Sequence, residues 1–557
     1  MTKPLRWLLF FPTLFFLVIL FIPLGHTYPV GPSLKLDQIE SQSDVLFKAR
    51  VTAIHPLKEG WFEKYSGFGA YATEMQIISV IKGELPQKKI IFQHYGRVQG
   101  EQLSPGFSPQ YYDFQVGKPY LVFAKKTDRK GIFRQPWKDH KSKEDQGVFR
   151  AADFKPTLKG KPIQEIVWEE LIKLLNGAEK ENVLYAIKQL DEMSRTAGWD
   201  KLDDFDRNRV MEKIHPFVLS KDPDITQASI RALGDDSPYL RDEVAQFWLS
   251  HIGGRKIQGY AEWDKGNVNP FASRYWNELV AVIDGAGPVE NRVLAICSLG
   301  LVKKPEVFEY VKKWVNDPEP HIRQAAAILL SDYPGDESSE ILTKLSDDKE
   351  ASVRYGVARA VGFTQREDLL PVLEKLLNDQ DVQVGSAAVE SILSFEPKKV
   401  DGLLKKYKDT PDFKPLFINA LAEVDAEPYL DDLAEIIKNK LESKYFRGGT
   451  FPFFLSWKIL FKNIQGQSEE TIRSKSMGRY LDALEGAVAY YQYLGSSGPP
   501  RDLYAFYVHY GLHERAKAFR AQCRSSIPFD MEYYFKQVDE QKDFYIDNSI
   551  SQNYNFN

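Results

Sequence analysis

Cysteine is nearly missing from this chain of 557 residues; only Cys297 and Cys523 occur. So few, so far apart, exclude a disulfide framework and a cysteine-rich zinc site. Two unpaired thiols are expected, packed as small hydrophobes, with a single Cys297–Cys523 bridge left open. An excess of charge is missing too: 73 Lys and Arg stand against 77 Asp and Glu, a net charge of -4. That gives no field to draw nucleic acid, so no nucleic-acid partner is expected. Catalytic signatures are absent as well. There is no His-Glu-x-x-His, no Gly-x-Ser-x-Gly, no Gly-rich loop ending in Lys-Ser/Thr and no acidic calcium loop. Paired carboxylates such as Asp203-Asp204, Asp235-Asp236 and Asp347-Asp348 are chain neighbours, and adjacent side chains diverge. The expectation is therefore a protein that is not an enzyme and carries no cofactor or metal. His509 and His513, beside Glu514, would share a face and hold zinc on an unbroken helix. Gly511 between them is expected to break that helix. An enzyme sited in this C-terminal region stays as an alternative.

What is present is the composition of a folded protein, 43% hydrophobic and 27% charged, long enough for several domains. Residues 7–24 form an uncharged apolar run behind Lys3 and Arg6. As a helix they would span about 27 Å, close to a bilayer's hydrocarbon thickness. The positive flank stays inside, which sends the rest of the chain outward. Residues 1–30 are thus expected to be a signal peptide or a retained signal-anchor, with membrane contact through that run. The body is expected to be extracytoplasmic, membrane-anchored or secreted to the envelope.

Alternating apolar and polar residues predict strands at 44–54 and 73–81, and further strands are read at 88–94, 118–124 and 131–134. Ser43-Asp44-Val45-Leu46-Phe47, then Val80-Ile81-Lys82-Gly83, then Gly117 with Tyr120-Leu121-Val122-Phe123-Ala124, resemble the netrin-like module over roughly 36–135. That resemblance implies the five-stranded OB-type β-barrel of the tissue inhibitors of metalloproteinases, and a binding role. Those inhibitors chelate zinc through an N-terminal cysteine, and this chain has none before Cys297. A regulator or inhibitor of an extracytoplasmic protease, acting without chelation, is a second alternative. The stretch 125–161 is basic, with twelve Lys and Arg against five acids, and is expected to be a solvated linker.

From Ile163 the period becomes that of amphipathic helices, expected near 163–172, 181–193, 206–219, 224–234, 239–251 and 272–283. A strict beat of 31 residues follows. Asp317, Asp348 and Asp379 keep it, as do Arg292, Arg323 and Arg354. So do Trp314, Leu345 and Leu376, Ile322, Val353 and Val384, and Leu330, Val361 and Ile392. A fixed period of this size marks stacked units that cover one another's apolar faces. The aspartates are placed to accept from free N–H groups where each second helix begins. The arginines are placed to bond the turn of the adjacent unit, as a ladder. Gly385 stands where a fourth arginine would be, so the ladder should end there. This pattern, with an Ala-rich second helix and Gly362, resembles HEAT repeats in their short bacterial form, strongly over 288–395 and more weakly over 163–287 and 396–441.

The insertion 253–271 carries Tyr260, Trp263 and Phe271, either anchors for a partner or a plug folded back on the helices. Aromatic-rich helices, including 480–493 and 503–523, are expected to cap the stack. The expected fold is multidomain α+β: residues 1–30 as above, a netrin-like barrel with its basic linker at 31–160, a HEAT-like α-solenoid at 161–441 and a helical C-terminal region at 442–557. The expected function is a non-catalytic scaffold for a protein partner whose identity the residues leave open.

Overall fold

The computed structural model describes residues 34–57, 67–85, 87–98, 100, 110–136, 147–157, 159–195, 203–233, 270–300, 302, 304–441, 443, 452–493, 498–525 and 531–540. The apolar run at 7–24, the helix expected at 239–251, and Tyr260 and Trp263 lie outside them. Among the described residues no helix is long and apolar enough to cross a membrane. The chain divides into two compact units, Met1–Asp242 and Glu243–Asn557.

The first unit opens with helix α1 (Leu36–Ser41) and six strands: β1 (Val45–Pro56), β2 (Phe68–Lys82), β3 (Lys89–Arg97), β4 (Pro119–Lys126), β5 (Ile132–Arg134) and β6 (Val148–Arg150). β1 pairs antiparallel with both β2 and β4; β2 pairs with β3, β3 runs parallel to β5, and β5 returns to β4. The pairings β1–β2–β3–β5–β4–β1 therefore form a closed circuit, which leaves those strands fewer unpaired edges. Five strands were expected and six are present among the described residues. β6, antiparallel to β4, is only three residues long and too short to show an alternating pattern. Val45, Phe47, Ala49 and Val51 of β1 pack with Met75, Phe92, Val122 and Phe133 as one buried cluster, the period-two face that the sequence predicts.

Lys48 and His94 are buried ionisable residues on the strands of this unit. Lys48, on β1 with its side chain 1% exposed, places Nζ 2.9 Å from Asp153 and 2.9 Å from Glu170. Glu170 Oε2 also accepts from the Ala152 N–H at 2.8 Å. Glu170 belongs to helix α2 (Ile163–Leu175), so a buried charge of the sheet is satisfied in part by the helix that follows it. His94, on β3, sits between the rings of Tyr71 and Phe92. Its Nδ1 lies 2.7 Å from the Tyr95 carbonyl and its Nε2 lies 2.7 Å from the Thr73 hydroxyl. A carbonyl only accepts, so Nδ1 carries the proton and neutral Nε2 accepts from Thr73. Burial pushes its pKa down to about 4.

Helices α3 (Lys180–Met193), α4 (Arg207–Ile214) and α5 (Pro223–Leu233) follow α2, with a 3-10 turn at His215–Leu219. Buried Arg207 ties them by donating to Asp191 Oδ1 at 2.7 Å and to the Ala232 carbonyl at 2.8 Å.

In the second unit α6 (Pro270–Arg274) precedes two-helix units: α7 (Trp276–Asp284) with α8 (Val289–Gly300), α9 (Pro305–Trp314) with α10 (Pro320–Leu329), α11 (Asp336–Leu345) with α12 (Ala351–Thr364), and α13 (Leu370–Leu377) with α14 (Val382–Ser394). Proline opens several of these helices, where its missing N–H costs nothing. α8, α10, α12 and α14 pack successively on one another. Trp314, Leu345, Leu376, Ile322, Val353, Val384, Leu330, Val361 and Ile392 are all buried, so the 31-residue beat is the stacking contact. Close approach depends on two glycines of α12. A Cβ at Gly356 would lie 2.9 Å from the Gln324 carbonyl on α10, and one at Gly362 would lie 2.6 Å from Ser391 Oγ on α14.

The stack continues through α15 (Pro397–Tyr407), α16 (Lys414–Val424) and α17 (Leu430–Asn439). Then come α18 (Pro452–Gln465), α19 (Glu469–Ile472), α20 (Lys475–Tyr493), α21 (Gly498–His509), α22 (His513–Ser525) and α23 (Met531–Glu540). One apolar cluster joins Ile418 and Leu433 to Trp457, Phe506, Phe519 and Phe535, so the aromatic helices cover the end of the stack. Cys297 and Cys523 are both buried thiols, not a bridge. The segment expected to be helical over 503–523 is two helices, because Gly511 takes φ +64° and the Leu512 N–H turns back to the Tyr507 carbonyl at 2.8 Å.

Two outcomes follow for stability. The unfolded chain protonates His94 near pH 6.5 while the folded chain resists to about 4, so this contribution is complete above pH 6.5 and is lost as pH falls. The difference in unfolding free energy between pH 7.5 and 4.5 should shrink by about 2–3 kcal/mol in His94→Gln, read by urea titration at both values. Gly362→Ala should destabilise, since overpacking of roughly 1–3 kcal/mol exceeds the helix propensity gained. Gly402→Ala, where a Cβ meets nothing within 4 Å, should raise the melting temperature instead.

Candidate interaction surface

The Arg–Asp ladder fixes how one two-helix unit sits on the next. Arg323 Nε and Nη2 donate to Asp348 at 2.9 Å each, and Arg354 does the same to Asp379 at 2.6 and 2.8 Å. Such forked pairs fix direction as well as distance. Arg292 donates to Asp317 at 2.6 Å through Nη2, and through Nε to the Ile283 carbonyl at 2.7 Å. The Nη1 of Arg323 reaches the Asp317 and Pro318 carbonyls of its own turn, and Arg354 reaches Asp348 and Lys349 likewise. Each arginine thus closes its own turn and bonds the next.

The aspartates do more than receive charge. Asp317, Asp348 and Asp379 each accept at 2.9 Å from the N–H two residues on, that of Glu319, Glu350 and Asp381. These donors are the residues that cap the second helices, not residues of the first turn. The expected cap is therefore corrected to an Asx turn that leads into the cap. Capping itself falls to Glu319 and Asp381 in their own units. Burial opposes ionisation of Asp348 and Asp379. The bonded arginine and the turn N–H outweigh it, and both carboxyls are held below their usual range. Rung side chains are about a tenth exposed, Arg354 at 9% and Asp379 at 8%, so these are nearly dry pairs. Asp379 is the last rung, because Gly385 has no side chain with which to continue.

A second connection escapes the motif. Arg359 on α12 donates to Glu390 on α14 at 2.6 Å, again 31 residues apart. Lys375–Asp347, Lys313–Asp284 and Arg366–Asp336 bridge neighbouring units across the exposed first helices. The spacing of Arg359 and Glu390 is the signal that would have found the first of these.

Of the residues expected to anchor a partner, Phe271 is 6% exposed. Its ring is packed, so it is corrected from a displayed anchor to part of the core at the head of the second unit. His509 and His513 lie on opposite sides of the Gly511 break, both exposed. Among the described residues no cluster of three or more His, Cys, Asp or Glu is placed to hold a metal ion.

An α-solenoid of two-helix units, locked by Arg–Asp rungs and preceded by a sheet module, is the class of protein that this geometry defines. The family model for HEAT repeats matches residues 277–362, the stretch holding the rungs Arg292–Asp317 and Arg323–Asp348. No curated protein matches the sequence. Among solved structures, Escherichia coli YibA is similar at 15% identity over 54% of this chain and 94% of its own, with a TM-score of 0.32. The CpcE–CpcF phycocyanin lyase complex of Nostoc sp. PCC7120 is similar at 17% identity over 50% and 94%, with a TM-score of 0.25. Yeast importin-β (Kap95p) is similar at 12% identity over 68% and 54%, with a TM-score of 0.36.

Removing a rung should be costly because its partner stays buried. Asp348→Asn should lower unfolding free energy by about 3 kcal/mol, measured by denaturant titration. In a double-mutant cycle with Arg323→Met the two losses should fall well short of additive.

Proposed function

We propose that this protein is a non-catalytic extracytoplasmic scaffold that holds a protein partner through its solenoid and its sheet module. The observation that carries this reading is the ladder. Three consecutive rungs keep successive units in one register over Arg292–Asp379, and a stack held so presents a continuous surface of fixed spacing, as protein-binding solenoids do. HEAT repeats at 277–362 support the same reading. The closed circuit of five strands supports an OB-type, netrin-like barrel as a second contact module. The apolar run behind Lys3 and Arg6 supports export, with residues 1–30 as signal or anchor.

Affinity capture tests it, with residues 31–557 as bait, cross-linked to an envelope extract and identified by mass spectrometry. One dominant protein is expected, and its recovery should fall at least tenfold in a Tyr260→Ala, Trp263→Ala double variant. A catalytic activity that survives purification and is abolished by changing a single polar cluster would overturn the proposal.

A further inference from the structure

The first unit holds a cleft of about 390 Å³ between the sheet module and helix α3, within the size range of ligand pockets. Its floor is apolar and aromatic: Tyr112, Phe114, Tyr120 and Val148 are all buried there. The opposite wall is Leu184 and Tyr185 of α3, both half-buried. Arg150, at the end of β6, stands between floor and wall. Its N–H donates to the Tyr185 hydroxyl at 3.2 Å, and its guanidinium carbon lies 4.9 Å from the centre of the Tyr185 ring.

The guanidinium is half-buried and has no hydrogen-bond acceptor among the described residues. Glu179 feels its charge but is bonded to Lys118. Guanidinium groups are placed in folded proteins to meet planar anions through two parallel N–H bonds. Here one stacks on a ring, lines a cleft and meets no anion among the described residues. The rim adds a constraint, because it carries one exposed cation, Lys188, against two exposed carboxylates, Asp113 and Glu181. The two carboxylates repel a second negative charge and accept N–H groups. A ligand with one carboxylate, an apolar or aromatic body and N–H donors satisfies all three features. A polyanion satisfies only the first.

We propose that this cleft captures the free C-terminus of a peptide whose last side chain is aromatic or large and aliphatic. Arg150 receives the terminal carboxylate, the Tyr112–Phe114–Tyr120 floor receives the side chain, and Glu181 accepts from the peptide backbone. C-terminal carboxylate capture is a recurring mode of peptide recognition. The proposal rests on the reading of this chain as a binder of proteins, and it specifies which part of a partner enters.

Isothermal titration of the full chain with the pentapeptide Gly-Ser-Gly-Ser-Phe, as free acid and as C-terminal amide, tests it. The free acid should bind and the amide should bind at least tenfold more weakly. Arg150→Gln should remove that preference, and Leu184→Trp, which fills the cleft from the helix side, should block both peptides. Equal affinity for acid and amide would overturn the proposal, as would free-acid affinity untouched by both variants. Preferential binding of galacturonate, titrated in parallel, would overturn it in favour of a sugar acid. No free-acid binding up to about 1 mM, while cross-linked capture of a partner persists in Arg150→Gln, would overturn the cleft proposal alone and leave the scaffold reading standing.

Discussion

A two-helix unit cannot enclose a core, and everything in the second half of this chain follows from that constraint. Its apolar stripe is dry only when a neighbour lies over it, which makes register between units the quantity to be fixed. Apolar contact alone is permissive about register, since Val, Ile and Leu slide past one another at small cost. The arginines are not permissive. Arg323 reaches forward to Asp348 and back to its own turn, so any slip would strand a nearly dry guanidinium. Gly356 and Gly362 then let the second helices approach within backbone contact.

The same logic, with a different geometry, joins the sheet to the helices behind it in the first unit. Lys48 is a β-strand residue whose counter-charges are supplied from outside the strands. The sheet and α2 are thereby coupled through one buried ammonium. The cleft beside Arg150 likewise lies between sheet and helix, the helix there being α3.

Much of this was legible in the residues. Stacking imposes an identical environment at a constant interval, so the beat of Ile322, Val353 and Val384 announces both the fold and the buried face. β1 showed because its apolar and polar residues alternate, and β4 because it is a short apolar run buried on both faces. What failed to show depends on partners far away in sequence. Lys48 finds its acids 105 and 122 residues on, and no local pattern marks a lysine whose charge is quenched at that distance. β6 is too short for a period. The aspartates were placed rightly and given a neighbouring task, because an Asx turn and a helix cap use the same residue types one step apart. Phe271 looked displayable because its surroundings are rich in glycine, and composition does not say which way a ring turns. Nothing in the sequence marked the cleft, whose lining comes from four separate segments.

Lys48 also sets an order of events during synthesis. The ribosome delivers its ammonium 122 residues before Glu170 arrives, and all six strands have emerged by Arg150. In that interval Lys48 can meet Asp153, which is about a third exposed, but not the buried Glu170. Helix α2 therefore supplies the last partner that the buried lysine of the sheet takes. A chain cut at residue 160 would retain every described strand and Asp153, but lack Glu170, the more deeply buried of the two acids on Lys48. A piece that keeps both acids on Lys48 runs past Glu170 into α2, beyond the point where the β pattern itself ends.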